Sequence, residues 1–574
     1  MGGASDVPTP AGAAARRNGL SPALARGLML ALVVALGAVL RLWGLDASPS
    51  GLWYDEGLAG ENAMRVLAGE RPMFFYADGY PEEPLFFYIQ AAFLHVMNDG
   101  APAVLPLRLP AAIIGVLTLL AFYPFCRTML PARWALFAVL VLALFPWHVH
   151  FSRLGFRTSL APLFVCLIGW GVHAWLCSGR VWVAAITGAA IGLSLYTYTA
   201  SNILPIAAAL GLVWGVALGG GSFTGAVGNG AMGTRQRLLW GVAAGVGAGL
   251  VVFGPLLLYY VQNLGQAMGR VAQVAPGDGA DFTVGGNLLR VGAFLLGLLG
   301  DGTFKHGPAG RPPFPVALVG LWLAGLAFVL ASARQRRGMA VFHLLVLVGF
   351  LAASVFSQSA PNKLRALGCV PVVVLLFVVG LRMVVVGLRA AGMPRWGGRA
   401  LVAVVMFFYL WGEATAVIYQ WHLDPRIYQQ FSGPFTQVAR YAAAADPARD
   451  PALRGVSGAP RDPRVPLFLP SAVANHATVR YLAGRAFNVR PLTRLEEALT
   501  LRPGQPPVVA LVLTVHAPGN IDVLRALGHE PQPVASLRNP LDNSPYAVVV
   551  QVQRRAIDWT PELAELAAQY LTDR

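Results

Sequence analysis

Charged residues are scarce in this sequence. They make up 12% of its 574 residues, while hydrophobic residues make up 56%. A soluble domain usually carries about 25% charged residues, and the mean hydropathy of +0.58 points the same way. These values exclude an ordinary soluble protein and predict a polytopic membrane protein.

Cysteine is also rare, and the excess charge is of one sign. The four cysteines lie in or beside apolar runs without a CxxC pair, so we interpret them as packing residues rather than metal ligands or disulfide partners. Lys+Arg 43 against Asp+Glu 27 leaves a formal charge of +16. Because the basic residues are dispersed among apolar segments, we expect no nucleic-acid partner. Anionic lipid headgroups or a phosphate-bearing lipid fit the pattern better.

Long apolar runs are abundant. Runs able to cross a hydrocarbon core of about 30 Å predict about eleven transmembrane helices. They lie near residues 23–43, 103–125, 134–148, 159–177, 181–199, 202–219, 238–261, 314–333, 339–356, 366–388 and 399–420. Residues 1–22, rich in Ala, Gly and Pro, are predicted to be a disordered N-terminus. The Gly-rich segment 219–234 has neither Walker spacing nor a preceding strand, so it does not predict a phosphate loop.

Loop charges predict the orientation. With the N-terminus in the cytoplasm, every short cytoplasmic loop is basic and free of acidic residues, as the positive-inside rule requires. An odd number of spans then places the C-terminus outside. We therefore expect a multi-pass protein of the plasma membrane, with an all-α membrane domain over 23–423 and an acidic external segment over 44–102.

Two further external parts follow from local pattern. Residues 424–574 are richer in Pro and charge, and we expect a small extracytoplasmic α/β domain there. Its predicted strands are 465–469, 508–513 and 546–552, and its predicted helices include 436–444 and 521–527. In the external loop 262–313, the apolar stretch 284–299 is too short to span comfortably and predicts a re-entrant or interfacial helix.

The segment Leu52–Ile89 carries two acidic pairs among many aromatic residues. Asp55 and Glu56 precede a predicted helix over Gly57–Ala68, and Glu82 and Glu83 precede an aromatic run. One interpretation is structural, with Asp55 as helix N-cap and Glu56 complementing the helix dipole. The other is catalytic, because a carboxylate at a helix start stays ionised and can accept a proton. The segment alone does not separate them.

Three other external segments bring cations to one membrane level. They are residues 105–110 with Arg108, residues 146–162 with His148, His150, Arg153 and Arg157, and residues 357–368 with Lys363 and Arg365. Each arginine alone is explained by interfacial snorkelling. Together the cations suit a lipid phosphate, which guanidinium groups pair well. The two histidines could ligate a metal or hydrogen-bond a phosphate; interfacial histidines are more common than metal ligands, so we predict no metal site.

These motifs resemble the membrane glycosyltransferases of the GT-C fold. Within that fold they are most similar to the protein O-mannosyltransferase and aminoarabinose-lipid A transferase group, often called family 39. The matching pieces are WYDEG (53–57), EEPLFFYI (82–89), LRLPAAIIG (107–115), HFSRLGFR (150–157) and NKLRALG (362–368). Each piece is weak alone, but the five occur in the expected order over the first 370 residues.

The resemblance implies an inverting transfer of a sugar from a polyprenyl-phosphate carrier to a protein, lipid or glycan acceptor at the external face. It implies Asp55 as general base and Glu56 as a group that orients it or binds the sugar. The donor phosphate would meet cationic side chains, namely Arg108, Arg153, Arg157, Lys363 and Arg365. Substrate binding would involve Tyr54, Glu83, Tyr88 and His150. No cofactor is implied, although a divalent cation could assist.

The chain departs from the group at one motif. Many relatives have a basic residue and two prolines where this chain has Glu82, Glu83 and Pro84, which leaves the donor sugar and the role of Glu83 open. A transporter or lipid-carrier flippase using the acids as a proton relay is the alternative. It is disfavoured because the acids lie in a loop rather than midway along a span. A non-enzymatic assembly scaffold would leave the acidic loop and the basic set without a purpose.

Overall fold

The computed structural model describes residues 21–572, except 78–79, 218–233, 264–282, 308, 335–337, 446–449, 451–452 and 515–519. Residues 1–20 and 219–233, on which two of the sequence-based predictions fall, lie outside the described residues. The first part of the chain is helical. Its helices are α1 (Pro22–Leu42), α2 (Tyr54–Leu67), α3 (Leu85–Asn98), α4 (Leu105–Cys126), α5 (Ala132–Leu144), α6 (Pro146–Phe151), α7 (Leu160–Ser178), α8 (Val181–Ser194), α9 (Ile203–Ala217), α10 (Thr234–Gln262), α11 (Val284–Leu295), α12 (Val316–Arg334), α13 (Gly338–Val355), α14 (Val370–Ala390) and α15 (Arg395–Leu423).

Apolar helices confirm a multi-pass membrane domain. Within the described residues, eight helical stretches are long and apolar enough to cross a membrane. They are Pro22–Leu42, Leu105–Cys126, Arg157–Ser178, Thr199–Val216, Gln236–Gln262, Val316–Arg334, Gly338–Val355 and Leu367–Ala390. Three of the eleven predicted spans are not among these eight. Those near 134–148 and 181–199 are the shorter helices α5 and α8, with 13 and 14 residues, and the one near 399–420 falls on α15. Helix α5 is short because the backbone turns extended at Phe145 and a new helix begins at Pro146.

Glycine allows the membrane helices to approach closely. In α12 and α14, a Cβ at Gly325 would overlap the backbone of Leu376, and one at Gly380 would overlap the backbone of Leu321. A Cβ at Gly188 of α8 would likewise overlap Gly245 of α10. Small residues at such crossings give backbone-to-backbone van der Waals packing, which drives helix association in lipid.

Helix α11 covers one end of this bundle. It has 12 residues, which at 1.5 Å per residue is too short to cross a hydrocarbon core of about 30 Å. The Asn287 side chain donates to the Val355 and Ser357 carbonyls at 2.8 Å each, and so attaches α11 to the end of α13. The predicted helix over 284–299 is therefore present and ends at Leu295.

A mixed-sheet domain follows α15, as the sequence predicted. Its six strands have the order β3-β7-β8-β6-β4-β5, parallel between β4 and its two neighbours and antiparallel elsewhere. The strands are β3 (Val456–Gly458), β4 (Leu467–Pro470), β5 (Val489–Leu492), β6 (Val508–Thr514), β7 (Gln532–Arg538) and β8 (Pro545–Gln553), after a separate hairpin of β1 (Phe75–Ala77) and β2 (Tyr80–Glu82). The helices are α16 (Pro425–Gln430), α17 (Gly433–Ala442), α18 (Ser471–Ala474), α19 (Ala477–Ala483), α20 (Leu495–Leu499), α21 (Asn520–Ala526) and α22 (Pro561–Thr572).

Candidate active site

Helix α2 begins three residues earlier than the sequence predicted. Trp53 is its N-cap, so Asp55 lies inside the first turn rather than at the cap. The Trp53 backbone N–H donates to Glu56 Oε2 at 3.2 Å. This back-bond from the third helical residue satisfies an N–H that would otherwise lack a partner at the helix start. It allows the helix to include Asp55.

Glu56 is fully buried and bound on both carboxylate oxygens. Arg108 of α4 donates from Nε to Oε1 and from Nη2 to Oε2, both at 2.9 Å, and neither side chain is exposed. The Gly155 N–H also donates to Oε1 at 2.8 Å. Arg108 in turn donates to the backbone carbonyls of Leu45, Pro49 and Gly51. These contacts tie α2 to α4 and leave Glu56 and Arg108 no open side for a substrate, contrary to the roles predicted for them.

Asp55 has the opposite environment. Its side chain is exposed, yet the protein that surrounds it raises the pKa of its carboxyl from 3.8 to about 6. Burial is the largest cause, Glu82 raises the pKa further, and Lys305 and Arg157 lower it. The carboxylate is thus accessible but closely surrounded by protein, and we call these surroundings the Asp55 recess. Such a group can accept a proton near neutral pH.

The charge of Arg157 acts on Asp55, but Arg157 is paired with two other carboxylates. It forms ion pairs with Glu82 and, from Nε at 3.2 Å, with Glu83. Its guanidinium also lies 5.8 Å from the Tyr198 ring centroid, and Thr199 Oγ1 donates to Glu83 Oε1 at 2.5 Å. The acidic pair at 82–83 therefore surrounds Arg157. A phosphate approaching Arg157 would meet two negative charges beside it.

Lys305 is a cation at the recess that the sequence did not single out. Its charge acts directly on Asp55, and its Nζ lies 5.1 Å from the centroid of the Trp53 ring. Such a distance is typical of a cation–π contact. Lys305 thus brings a positive charge to Asp55 from a part of the chain 250 residues away in sequence.

Two histidines fix the backbone around Lys305. His150 is buried, and its Nε2 lies 2.8 Å from the Lys305 carbonyl oxygen. Because a carbonyl accepts, Nε2 carries the proton, and burial lowers the pKa of His150 to about 3, which keeps the ring neutral. His306 Nδ1 pairs with Asp301 Oδ2 at 2.7 Å. His150, predicted to bind substrate, instead holds the loop that carries Lys305.

Lys363 lies behind this loop rather than at Asp55. Its backbone N–H donates to Asp301 Oδ2 at 2.9 Å, and its side chain lines a cavity of about 20 Å³ shared with Glu413 and Arg311. That space suits a water molecule and not a phosphate group. Burial lowers the pKa of the Lys363 amine to about 8. Arg365 is half-buried nearby, and its backbone N–H donates to Asn362 Oδ1.

Arg153 stabilises the end of α1. Its Nη1 donates to the carbonyls of Leu40 and Trp43, and its Nη2 donates to that of Ser48, each at 2.9 Å. The last carbonyls of a helix have no partner within it, and Arg153 supplies one. The phosphate contact predicted for Arg153 does not fit this buried, carbonyl-bound position.

The two tyrosines assigned to substrate binding lie apart. Tyr54 is half-buried beside Asp55, with its ring edge on His476 at a centroid distance of 5.0 Å. The Tyr88 hydroxyl donates to the Pro72 carbonyl at 3.1 Å and so supports the backbone before β1. Tyr54 therefore remains at the recess, whereas Tyr88 is engaged elsewhere. In the described residues, no three histidine, cysteine, aspartate or glutamate side chains are arranged to hold a metal ion.

The amino-acid composition of the chain makes Lys305 unusual. The sequence contains only two lysines, Lys305 and Lys363, and every other cationic side chain is arginine or histidine. Both lysines lie in segments predicted to be external, and the structure joins those segments through Asp301. In a chain that otherwise uses arginine, an isolated lysine in an external loop is itself a candidate functional cation.

One family of known proteins matches part of the chain. The family of dolichyl-phosphate-mannose-protein mannosyltransferases matches residues 81–220, which include Glu82, Glu83 and Arg157. No curated protein sequence matches the chain.

Solved structures match over nearly the whole length. ArnT from Cupriavidus metallidurans in the apo state matches with a TM-score of 0.53 and 15% identity, covering 95% of this chain and 99% of ArnT. The same protein bound to undecaprenyl phosphate gives 0.52 and 14%, covering 92% and 98%. The apo oligosaccharyltransferase of Archaeoglobus fulgidus gives 0.50 and 12%, covering 88% and 71%. These matches confirm the predicted fold: the chain has the GT-C fold, which it shares with ArnT.

Proposed function

We propose that this protein is an inverting glycosyltransferase that moves a sugar from a polyprenyl-phosphate carrier to a hydroxyl-bearing acceptor at the external face. The observation that carries the proposal is the accessible Asp55 carboxylate with its raised pKa, on which the charges of Lys305 and Arg157 act. The family match and the bound undecaprenyl phosphate in ArnT support a lipid-phosphate donor.

Asp55 acts as the general base in this proposal. The acceptor O–H gives its proton to the Asp55 carboxylate while the acceptor oxygen forms a bond to the anomeric carbon. The bond from that carbon to the phosphate oxygen breaks on the opposite face, and its electron pair leaves with polyprenyl phosphate. The configuration at the anomeric carbon is inverted. Asp55 ends protonated and neutral, and the leaving phosphate carries the additional negative charge. A positioned base typically contributes about 10²–10⁴-fold.

Lys305 stabilises the leaving phosphate. It is the cation at the recess that is not shared between two carboxylates in the described residues, whereas Arg157 pairs with Glu82 and Glu83. Charge that develops on the leaving oxygen is lowered in energy by a fixed ammonium group in a site with little water. We therefore assign the phosphate contact to Lys305 first, with Arg157 as the second cation. We assign no phosphate contact to Arg108 or Arg153, because both are hydrogen-bonded to other groups of the protein. We assign none to Lys363, because its side chain lines a cavity too small for a phosphate group.

The proton-relay alternative conflicts with the surroundings of Glu56. A relay through the acidic pair needs both acids to exchange protons, but Glu56 is bound to Arg108 and two backbone N–H groups. Lipid co-purified with the full chain and identified by mass spectrometry tests the proposal directly. A polyprenyl phosphate or its sugar conjugate is expected. Its absence, together with no release of sugar from any polyprenyl-phosphate-linked donor, would exclude the proposed function.

The pH dependence of transfer should report on Asp55. Because the ionised form is the base and its pKa is about 6, the rate should be level above that pH. It should fall about tenfold for each unit below it. Glu82→Gln should move the inflection to lower pH, since Glu82 raises the pKa, and Lys305→Gln should move it higher. Initial rates with one polyprenyl-phosphate-linked sugar from about pH 4 to about pH 8 give the profile. An inflection at about 4, typical of an unperturbed aspartate, would contradict the assignment.

Removal of the Lys305 charge should weaken phosphate binding. A hydrogen bond to a charged group contributes about 1.5–3 kcal/mol, so Lys305→Gln should raise the Kd for undecaprenyl phosphate at least about tenfold. Lys305→Arg should retain most of the affinity. Arg290→Gln, which removes an exposed cation from α11, is the matched control and should leave Kd unchanged. Equal effects of Lys305→Gln and Arg290→Gln would indicate general surface attraction instead.

A further inference from the structure

The C-terminal domain is packed directly on the helix that carries Asp55. A Cβ at Gly57 of α2 would lie 2.7 Å from the Thr478 backbone nitrogen, and one at Gly60 would lie 2.6 Å from the Tyr481 ring. Both glycines are thus needed for α19 to approach α2 so closely. The C-terminal domain is positioned against α2 by backbone-level contact, not by a flexible tether.

Polar contacts fix this arrangement on both sides of α2. The Thr478 hydroxyl donates to the Leu52 carbonyl at 2.8 Å, and Arg480 pairs with both carboxylate oxygens of Glu61 at 2.6 and 2.7 Å. The Tyr481 hydroxyl donates to the Ala103 carbonyl and accepts from the Ala103 N–H, at 2.9 Å each. Bidentate pairs of this kind add geometric specificity. They hold the residue before α19, His476, at a defined place.

His476 stands at the edge of the Asp55 recess. Its ring lies parallel to Phe435 at a centroid distance of 3.8 Å, and the neighbouring Tyr54 meets it edge to face at 5.0 Å. The charge of Lys305 acts on His476 as it does on Asp55. One lysine therefore lies close to both side chains.

Among the described residues, the His476 ring makes no hydrogen bond. Its Nδ1 is buried. An imidazole held rigidly by two aromatic rings loses little conformational freedom when it binds a ligand. Because Nδ1 is buried, Nε2 is the nitrogen of this fixed ring that is placed to form a hydrogen bond with a substrate.

We propose that His476 binds the acceptor substrate, forming a hydrogen bond with a hydroxyl-bearing acceptor and orienting it toward Asp55. This inference rests on the proposed function and extends it, since it assigns acceptor recognition to the C-terminal domain. The donor phosphate then approaches Lys305, and the acceptor binds at the N-terminal ends of α2 and α19, where Tyr54 and His476 lie. Burial and the nearby cations lower the pKa of His476 to about 4, so the ring binds as a neutral group at physiological pH.

The test separates acceptor binding from donor chemistry. The full chain in lipid nanodiscs is given undecaprenyl-phosphate-linked sugars, and two reactions are followed, hydrolysis of the donor by water and transfer to an added acceptor. A serine- and threonine-containing peptide, a lipid A analogue and a cell-wall oligosaccharide serve as acceptor probes. His476→Ala should raise the acceptor KM about three- to tenfold, the effect of one lost hydrogen bond. Hydrolysis of the donor should stay unchanged.

Variants and controls make the outcome decisive. His476→Asn keeps a hydrogen-bonding group and should recover part of the acceptor affinity, while His95→Ala, which removes an exposed imidazole from α3, should behave as wild type. The acceptor KM should show no titration near pH 6, because His476 is already neutral there. An unchanged acceptor KM in His476→Ala, a parallel loss of hydrolysis, or hydrolysis without transfer to any probe overturns the inference. No sugar release at all would overturn the proposed function itself.

Discussion

Asp55→Asn is expected to lower the rate of sugar transfer by about 10²–10⁴-fold, the contribution of a positioned general base. The amide has nearly the same shape as the carboxylate but cannot accept the acceptor proton. Binding of undecaprenyl phosphate, measured by native mass spectrometry, should survive because Lys305 and Arg157 remain. The variant should also resist heat at least as well as wild type at neutral pH, since the raised pKa of Asp55 means that its ionised form destabilises the folded state.

The sign of that stability effect can be checked by pH. An aspartate whose folded-state pKa is raised binds its proton more tightly in the folded protein, so stability is fully present below the unfolded pKa and is lost as pH rises toward about 6. The advantage of Asp55→Asn should therefore disappear in acid. Asp99→Asn is the matched control, because Asp99 lies in the same external segment with φ 47, a conformation that asparagine adopts readily. Transfer at the wild-type rate by Asp55→Asn would remove Asp55 from the mechanism.

Arg108→Met is expected to destabilise the protein by about 3–5 kcal/mol, the usual effect of leaving one charge of a buried pair without its partner. Glu56 would remain buried, and the carbonyls of Pro49 and Gly51 would each lose a donor. Glu56→Gln should also lower stability, by weakening the same contact. Thermal unfolding in detergent, followed by the fraction of protein that stays monodisperse, measures both effects.

Two further variants separate a structural role of Glu56 from a catalytic one. The double variant Glu56→Leu with Arg108→Met should recover part of the lost stability, because no unpaired charge is left buried. Arg65→Met breaks the pair between Arg65 of α2 and Glu70, which lies just past the end of that helix; the two side chains are 42% and 48% exposed. That change should alter stability by no more than about 1 kcal/mol. A Glu56→Gln protein of normal stability with a purely catalytic defect would instead support the sugar-binding role that the motif implied.

The order of the motifs predicted which segments form the site, but it did not predict which side chains pair with each other there. The motif resemblance implied Asp55 as the base, and in the structure the charges of Arg157 and Lys305 act on it. The adjacent Glu56 has the same chemistry and lies one residue away in sequence, yet it is buried against Arg108. Successive residues of a helix point about 100° apart. Which of two adjacent acids faces the recess therefore depends on how α2 is packed.

Hydropathy and local pattern by themselves determined that this chain is a multi-pass helical membrane protein with a small α/β domain at its C-terminal end. Those properties follow from transfer free energies and periodicities that are read within one segment. Tertiary structure alone decided that Lys305 and not Lys363 meets Asp55, that Arg153 binds the end of α1, and that His476 comes to the recess. Each of these pairings joins segments far apart in the sequence, and only helix packing and the close approach at Gly57 and Gly60 select among them.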